Sequence, residues 1–374
     1  MNSTYQIGLL EKFGLYYLRI FRRKTLPFAQ LPDDQTIKNR VNHITVFGIL
    51  SAGLMGVLCV FPMIWVDVKF ESSVWYIHYG WVALATIIFT LIEFYLLFLI
   101  SLRSVHEVAE IVNIHATNKE YQLQGPFSIL NILSRTALEI NEPEMDILGI
   151  NPFQKVSRKN LLLLGFMYKL KIILSNIILK YCLLFLFGKH ILGVSILYEA
   201  LLVECFWNMV VIRKVILESR LRLFGFVLAN QITDQLSLDQ QAMQISPQAK
   251  IACLRAIGNT IVLTKNYHPN MVILLLEFKN LFEIHTPAQL DNWKIFIENL
   301  SSLSESEKNL TLDVLCIAAA FDGKISDLER HYLHEAFKEH ADIYFNRLEK
   351  LQLFLTQGRI HAAHDLCKID FIAG

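Results

Sequence analysis

The chain is poor in the residues that mark several classes of protein. Charged residues make up 18% of its 374 residues and the net charge is +1, so no nucleic-acid partner is expected. The six cysteines are scattered and form no C-x-x-C pair, which argues against a disulfide framework or a zinc ribbon. Nine prolines against 25 phenylalanines favour helices in lipid over a disordered chain.

Familiar catalytic motifs are also missing. The sequence contains no G-x-S-x-G, Walker A, G-x-G-x-x-G or kinase motif. No cleavable signal peptide is evident, because Glu11 and Lys12 interrupt the first apolar run and no small-residue cleavage site follows it. We therefore expect that the protein is not an enzyme, and no motif implies a cofactor.

Long hydrophobic runs are what the sequence has instead. Residues 44–66 carry no charge, and residues 81–102 carry only Glu93. At about 1.5 Å per residue, a helix of either length crosses a hydrocarbon core about 30 Å thick. Trp and Tyr crowd the loop between the runs, and these rings prefer the headgroup level. We predict transmembrane helices 1 and 2 within residues 44–102.

The charges that flank the first run orient the chain. Seven Lys or Arg residues precede it, whereas the loop after it has only Lys69, so the positive-inside rule places the N-terminus in the cytoplasm. Residues 1–43 form a cytoplasmic or interfacial segment in which 5–24 predict an amphipathic helix. That helix either lies on the inner leaflet, with its basic end on anionic lipid, or packs on the rest of the protein.

The middle of the chain allows two arrangements. Residues 103–160 predict a cytoplasmic helical connector, with a short helix at 126–141. Residues 161–216 hold two further apolar runs, 161–187 with lysines and 191–212 with glutamates. As transmembrane helices 3 and 4, these runs would complete a four-span bundle with both termini in the cytoplasm. Alternatively, they are interfacial or cytoplasmic helices on a two-span anchor.

The four-span arrangement predicts a polar site inside the membrane. Counted inward from the outer ends of the helices, a layer of carboxylate, amide and hydroxyl groups lies below a lysine–glutamate layer. Ionisable groups in lipid cost roughly 2.5–3.5 kcal/mol each, so they pair or face the bundle interior. The layers would form an ion or proton path, or they would simply join the helices. The six residues are Glu93, Ser175, Asn176, Lys180, Glu199 and Glu204.

The C-terminal third reads as an ordinary helical sequence. Residues 217–244 predict a helical linker, and residues 245–374 are long enough for an independent core. The predicted helices of this domain are 247–265, 269–284, 288–300, 305–320, 327–339, 343–357 and 360–368.

The sharpest local pattern lies at residues 315–337. Asp322 and Gly323 end one helix there, because glycine tolerates the left-handed conformation that a helix end requires. Ser326 and Glu329 then have the spacing of a capping box, which starts the next helix. The pattern predicts a helix–turn–helix hairpin.

This hairpin resembles that of the tellurite-resistance TerB-like domain family, and the whole chain is similar to bacterial membrane proteins that carry such a domain. The resemblance covers about a third of the chain and implies an all-helical domain of stress-response and membrane-associated complexes. It also implies an acidic surface for a divalent metal, at Asp322, Asp327 and Glu329. Residues 261–278 look like the partner hairpin but lack its Asp-Gly and capping Glu. The resemblance is carried by Ala318, Ala319, Ala320, Asp322, Gly323, Ile325, Ser326 and Glu329.

Two histidine pairs in the tail share a helix face, because their members are three residues apart. Each pair has an acidic neighbour, so these side chains could hold a transition metal. The order H-x-x-H-E differs from the H-E-x-x-H of metalloproteases, and solvated or packing histidines are the simpler interpretation. The residues are His331, His334 and Glu335 in one group and His361, His364 and Asp365 in the other.

Our leading interpretation is a multi-pass protein of a bacterial inner membrane whose cytoplasmic TerB-like domain docks protein partners. It would act as a scaffold or sensor in stress response or defence. The alternative is a small ion or proton channel or transporter that uses the intramembrane glutamates and lysine, and metal-dependent catalysis in the tail is a third hypothesis. Gly48, Ala52 and Gly56 recur every four residues and let another helix approach closely, either in a homo-oligomer or within one chain.

Overall fold

The computed structural model of the protein describes residues 7–22, 31–112, 128–138, 150, 196–238, 244–265, 268–284 and 289–368. These residues form twelve α-helices and one short 3-10 turn, with no strand among them, so the all-α prediction is confirmed for this part of the chain. The first five helices are α1 (Leu9–Arg22), α2 (Asp34–Phe70), α3 (Trp75–Ile111), α4 (Ile129–Ala137) and α5 (Ile196–Leu238). The C-terminal helices are α6 (Pro247–Thr264), α7 (Pro269–Leu281), α8 (Trp293–Ser302), α9 (Glu305–Ala320), α10 (Asp327–Phe337), α11 (Ala341–Gln357) and α12 (Ile360–Leu366).

Two helices, α2 and α3, are long and apolar enough to cross a membrane. They contain the predicted runs 44–66 and 81–102, and most of the apolar window in each helix is not buried in protein. Asp33 caps the start of α2, where its carboxylate accepts hydrogen bonds from the amides of Gln35 and Thr36, both at 3.1 Å. Two helices that could span a membrane are thus present, whereas the count of four and the orientation of the termini stay predictions.

A short aromatic turn joins α2 to α3. Phe70 stacks on Trp81 with ring centroids 5.5 Å apart, and the Lys69 ammonium lies 4.6 Å from the centroid of the Trp65 ring. Aromatic rings at such a turn suit the boundary between lipid and water, as the sequence predicts.

Helix α5 is 43 residues long, which is about 64 Å at 1.5 Å per residue. Its first half packs against α2 and α3, and its second half packs against the C-terminal helices. Leu223, Phe224 and Leu228 are fully buried there. The predicted linker 217–244 is therefore helical as far as Leu238 and contributes to the C-terminal core. The predicted third span, 161–187, lies outside the described residues.

Helices α1 and α4 pack on the same side of the bundle. Arg135 of α4 is fully buried and donates a hydrogen bond at 2.9 Å to the carboxylate of Glu11, which is 2% exposed. A Cβ atom on Gly14 would lie 2.1 Å from Oγ of Ser134, so α1 approaches α4 as closely as glycine allows. One face of α1 therefore packs on the protein, which is one of the two placements that the sequence allows.

The helices of the C-terminal domain begin and end close to their predicted positions. Capping boxes are formed at α9 by Ser304 with Glu307 and at α10 by Ser326 with Glu329. The predicted helix 288–300 begins later, at Trp293, because the side chain of Asn292 accepts a hydrogen bond from the Ile295 amide and fixes the start there. Local capping chemistry thus sets most of these boundaries.

Candidate functional site

Helices α2 and α5 pack closely because one side of α2 is lined by small residues. A Cβ atom on Gly53 would lie 2.4 Å from Cε of Met209, and one on Gly56 would lie 2.8 Å from Nδ2 of Asn208. Ala52 lies on the same side and is fully buried. Of the two uses predicted for this stripe, the structure shows packing within one chain.

The contacts of these glycines show which parts of the helices lie level with one another. Gly48 lies next to Ser104 of α3 and Ile216 of α5, and Ser104 lies two residues beyond the predicted span 81–102. Glu93 is 11 residues from Ser104 along α3, which is about 16 Å. That distance is about half of a hydrocarbon core, so Glu93 lies close to the middle of the predicted span.

A buried polar layer surrounds Glu93. Its side chain is 2% exposed, and Nδ2 of Asn208, itself 1% exposed, donates a hydrogen bond to Oε1 of Glu93 at 2.6 Å. Cys59 of α2 is buried, and Gly56, three residues before it, lies against Asn208 and the backbone of Glu204. The polar layer, defined as Cys59, Glu93, Glu204 and Asn208, thus has members from α2, α3 and α5.

Two of the six residues predicted for the intramembrane site, Glu93 and Glu204, therefore meet at one level. Ser175, Asn176 and Lys180 lie outside the described residues, and only the backbone of Glu199 is described. The sequence analysis missed Asn208, although it follows Glu204 by four residues and so lies on the same helix face. A polar amide within an apolar run was the signal that could have identified it.

The polar layer can do one of two things chemically. A buried amide that donates to a carboxylate forms a charge-assisted hydrogen bond, which holds α3 and α5 in a fixed register. Two carboxylates beside a thiol, enclosed by apolar helices, could instead share a proton or hold a cation.

A second candidate site is the hairpin between α9 and α10. Gly323 has a φ angle of 71°, as its predicted role requires, and Oδ1 of Asp322 accepts a hydrogen bond from the Lys324 amide at 3.0 Å. Oε2 of Glu329 accepts hydrogen bonds from the amide of Ser326 at 2.8 Å and from its hydroxyl at 2.7 Å. Two of the predicted acidic residues are therefore engaged in the turn and the helix cap.

The hairpin is joined to α5 and α7 at one buried point. Nδ2 of Asn270 donates hydrogen bonds to the carbonyls of Leu221 and Phe321, both at 3.0 Å. Gly225 leaves the space for this amide, because a Cβ atom there would lie 2.1 Å from Nδ2 of Asn270. A Cβ atom on Gly323 would lie 3.2 Å from Leu221, so the turn itself rests on α5. A movement of α5 would therefore reach the hairpin directly.

Ionisable groups of unusual pKa surround this point. Burial raises the pKa of Glu329 to about 7, against the hydrogen bonds from Ser326 and with help from the charge of Asp322. Burial also raises the pKa of Asp322, although the Lys324 amide opposes this shift.

A buried histidine lies beside the same junction. His268 is 5% exposed, and its Nε2 atom is 3.8 Å from Oε1 of Glu218 on α5. Burial alone would raise the pKa of Glu218, but His268 and Arg222 reverse the effect and hold that pKa well below its ordinary range. Arg222 donates a hydrogen bond to Glu218 at 2.9 Å.

The residues predicted as metal ligands do not come together. Within the described ranges, which contain all of these residues, no group of three or more His, Cys, Asp or Glu side chains could hold a metal ion. Asp327 is exposed, whereas the carboxylate of Glu329 is engaged in the capping box. The first histidine group is divided, since Glu335 accepts a hydrogen bond from Trp293 at 2.9 Å while His334 faces Phe345. His331 lies at the exposed surface.

The second histidine group is also divided. His361 contacts Asp34 at the start of α2, with 3.2 Å between Nδ1 and Oδ1. Asp365 pairs with Lys368 at 2.9 Å. Burial lowers the pKa of His364, so its ring favours the neutral form.

Comparison with known proteins adds no relative: no family model matches the chain, and neither a curated protein nor a solved structure matches it. The resemblance to the TerB-like family therefore stays a prediction that depends on the hairpin residues. The two candidate sites, the polar layer and the hairpin junction, are defined by geometry alone.

Proposed function

We propose that the protein is a membrane-embedded scaffold or sensor that passes changes in its membrane helices to a C-terminal partner-docking domain. In this proposal it is a four-span protein of a bacterial inner membrane, with both termini in the cytoplasm. The C-terminal domain is TerB-like and docks protein partners in stress response or defence.

The surface of the long helices supports the membrane location. Large apolar side chains are exposed in stripes along α2 and α3, spaced by three or four residues, from Phe47 to Val68 and from Ile77 to Tyr95. The α2 stripe extends over 21 residues, which is about 32 Å and matches the hydrocarbon core. The charged and amide groups of Glu93 and Asn208 point inward instead, as expected of helices whose solvent is lipid.

One observation supports the sensor part of the proposal. The single helix α5 contributes residues to both the polar layer and the hairpin junction. The first half of α5 contributes Glu204 and Asn208 to the polar layer, and the second half contributes Leu221 to the hairpin junction. Asn208 and Leu221 are 13 residues apart, about 20 Å along one rigid helix. A helix that packs in two discrete arrangements is a physical route for coupling two distant sites.

The polar layer also favours a second candidate function, an ion or proton channel or transporter. The buried carboxylate of Glu93 and the half-buried carboxylate of Glu204 are the groups that such a path would use. The Glu93–Asn208 hydrogen bond favours the first proposal, because it already gives this carboxylate a structural role.

One substitution separates the two functions. Glu93→Gln keeps the shape of the side chain but removes its charge, so the hydrogen bond from Asn208 is weakened without a cavity. Glu107→Gln is the matched control, since Glu107 lies on the same helix, outside the polar layer, in a surface pair with Arg103. Both variants of the full chain would be placed in lipid nanodiscs for hydrogen exchange and in liposomes for ion and proton flux.

The sensor proposal predicts that Glu93→Gln changes amide exchange in residues 321–330 several-fold, with no flux in any variant. The channel proposal predicts flux in the wild-type protein that is lost in Glu93→Gln. If the exchange of residues 321–330 is the same in wild type and both variants, coupling through α5 is wrong.

A further inference from the structure

Helix α1 has two faces of different surroundings. Its inner face, which includes Leu15 at 7% and Leu18 at 2% exposure, packs on α3 and α4. Its outer face exposes Leu9 at 86%, Leu10 at 54% and Tyr16 at 61%. Three large apolar side chains so exposed on one 14-residue helix form an apolar face with no protein against it in the described structure.

Aromatic contacts fix the position of α1 along α3. The ring of Phe13 is 6.1 Å from that of Tyr95, and the hydroxyls of Tyr17 and Tyr95 are 2.8 Å apart. Further along, the ring of Phe21 is 5.8 Å from that of His106. Helix α1 therefore runs beside α3 in the same direction and covers it from Tyr95 to His106.

This position is level with lipid-facing residues on α2. Gly48 of α2 lies next to Ser104 of α3, and its neighbours Phe47 and Leu50 are 54% and 58% exposed. The apolar stripe of α3 stops at Tyr95, where α1 begins to cover that helix. The outer face of α1 thus continues the apolar surface of the bundle on the side where α3 is covered.

The charges at this end of the bundle match an anionic leaflet. Long basic side chains can keep their charge among the headgroups while their stems lie along the apolar surface. In the loop at the opposite end of α2, Lys69 is the one basic residue among those described. The exposed basic residues at the α1 end are Lys12, Arg19, Lys38, Arg40, Arg103, Arg213 and Lys214.

We infer that the outer face of α1 binds the lipid leaflet at the basic end of the bundle, with Leu9, Leu10 and Tyr16 among acyl chains and Arg19 at anionic headgroups. This inference rests on the proposed membrane location of α2, α3 and α5. Helix α1 is then a helix that enters one leaflet beside α3, held on one face by protein and on the other by lipid.

Nitroxide labels on the full chain in nanodiscs test the inference. Leu9→Cys reports on α1, and Ile87→Cys, at a position 59% exposed on α3, reports on the lipid-facing surface of a predicted span. Ile343→Cys is the matched control, because Ile343 is 69% exposed and apolar but lies on the C-terminal domain. The parent protein, labelled at its native cysteines, supplies the background. The measured quantity is the accessibility of each label to oxygen, which concentrates in lipid, relative to a water-soluble nickel complex.

The inference predicts that this ratio is several-fold higher at Leu9 than at Ile343 and approaches the ratio at Ile87. A label at Leu9 that matches Ile343 while Ile87 is in lipid would overturn the role of α1 and leave the membrane location intact. A label at Leu9 that is shielded from both reagents would also overturn it, because a second copy or a protein partner would then cover this face. If Ile87 also lies in water, the proposed membrane location itself fails.

A second pair of nanodiscs tests the charge. Replacing Arg19 with Ser should lower the ratio at Leu9 in discs with anionic lipid and leave it unchanged in zwitterionic discs. An equal change in both kinds of disc would contradict the assignment of Arg19 to anionic headgroups.

Discussion

Two phenylalanines on α5 show how the two halves of the molecule differ. Phe206 and Phe224 are 18 residues apart, which is five helical turns, so they lie on the same side of one helix. Phe206 is 67% exposed, whereas Phe224 is fully buried against Gly358 and the C-terminal core. A phenylalanine on this face of α5 is thus exposed in the half that packs on α2 and α3, and buried in the half that packs on the C-terminal helices.

Polar groups show the opposite distribution. In the bundle of α2, α3 and the first half of α5, the carboxylate of Glu93 is enclosed by helices and bound by Asn208. In the C-terminal domain, Lys324, Asp327 and many other charged side chains are exposed, and the buried Glu329 is held by a helix cap. Under the proposed membrane location, the two halves fold in different solvents, and α5 passes from one to the other.

The largest expected effect comes from replacing each of the two phenylalanines with alanine. Phe224→Ala should destabilise the protein by about 3–5 kcal/mol, since it removes a fully buried ring from a packed core. Phe206→Ala should cost less than about 0.5 kcal/mol, because the ring has no protein core around it. Thermal unfolding of both variants in nanodiscs measures the difference, and similar losses would contradict two different surroundings.

The reverse substitution sharpens the same comparison. Phe206→Asp places a charge on a surface assigned to lipid, which costs roughly 2.5–3.5 kcal/mol on insertion scales and should reduce the membrane-integrated fraction. Asp in place of the exposed Ile343 of the C-terminal domain should leave that fraction unchanged. Equal recovery of both proteins from membranes would argue against a lipid-facing α5.

A smaller effect concerns the pH dependence of the hairpin. Burial raises the pKa of Glu329 from its ordinary value of 4.5 to about 7. Between these two pH values, the folded state therefore holds a proton that the unfolded state has lost. The resulting stabilisation is fully present below about pH 4.5 and is lost as the pH rises through about 7. The wild-type protein should therefore lose stability between about pH 5 and pH 8 relative to Glu329→Gln, by a few kcal/mol at most.

The melting temperatures of the two proteins across this range provide the measurement. Glu339→Gln is the control, because Glu339 is exposed on the 3-10 turn after α10. A difference between wild type and Glu329→Gln that stays constant with pH would show that this carboxyl keeps its ordinary pKa.

The sequence predicted the parts of this structure that depend on neighbours in the chain. Ser326 and Glu329 form the predicted capping box, and Gly323 has the predicted positive φ, because both features arise within a few residues. The apolar runs likewise lie in long helices. The start of α8 was predicted wrongly because the cap at Asn292 was overlooked, and α11 begins at Ala341, two residues before its predicted start.

Contacts between distant residues could not be predicted in the same way. Asn270 joins carbonyls of Leu221 and Phe321, about 50 residues away on either side, and nothing local marks an asparagine that bridges helices. The depth count placed Glu93 and Glu204 at one level but left out Asn208, which lies one helical turn beyond Glu204 on α5. The division of the histidine groups depends on partners such as Trp293 and Asp34, which lie far from them in the sequence.

The smallest expected effect is at the contact between the end of the chain and the start of α2. The carboxylate of Asp34 accepts hydrogen bonds from the amides of His361 at 2.9 Å and Ala362 at 3.1 Å, so it caps α12 from another helix. Asp34→Ala should destabilise α12 by about 0.5–2 kcal/mol, as the loss of a cap does, without unfolding the domain.

Hydrogen exchange of residues 361–366 in the full chain measures this local opening. Asp365→Ala is the matched control, because Asp365 lies on α12 itself but pairs only at the surface with Lys368. Faster exchange in Asp34→Ala alone would show that the C-terminal domain is held to the N-terminal helix bundle at a second point, besides α5. Unchanged exchange would leave α5 as the one described connection able to carry a signal between the two units, which makes the Glu93→Gln experiment the decisive one.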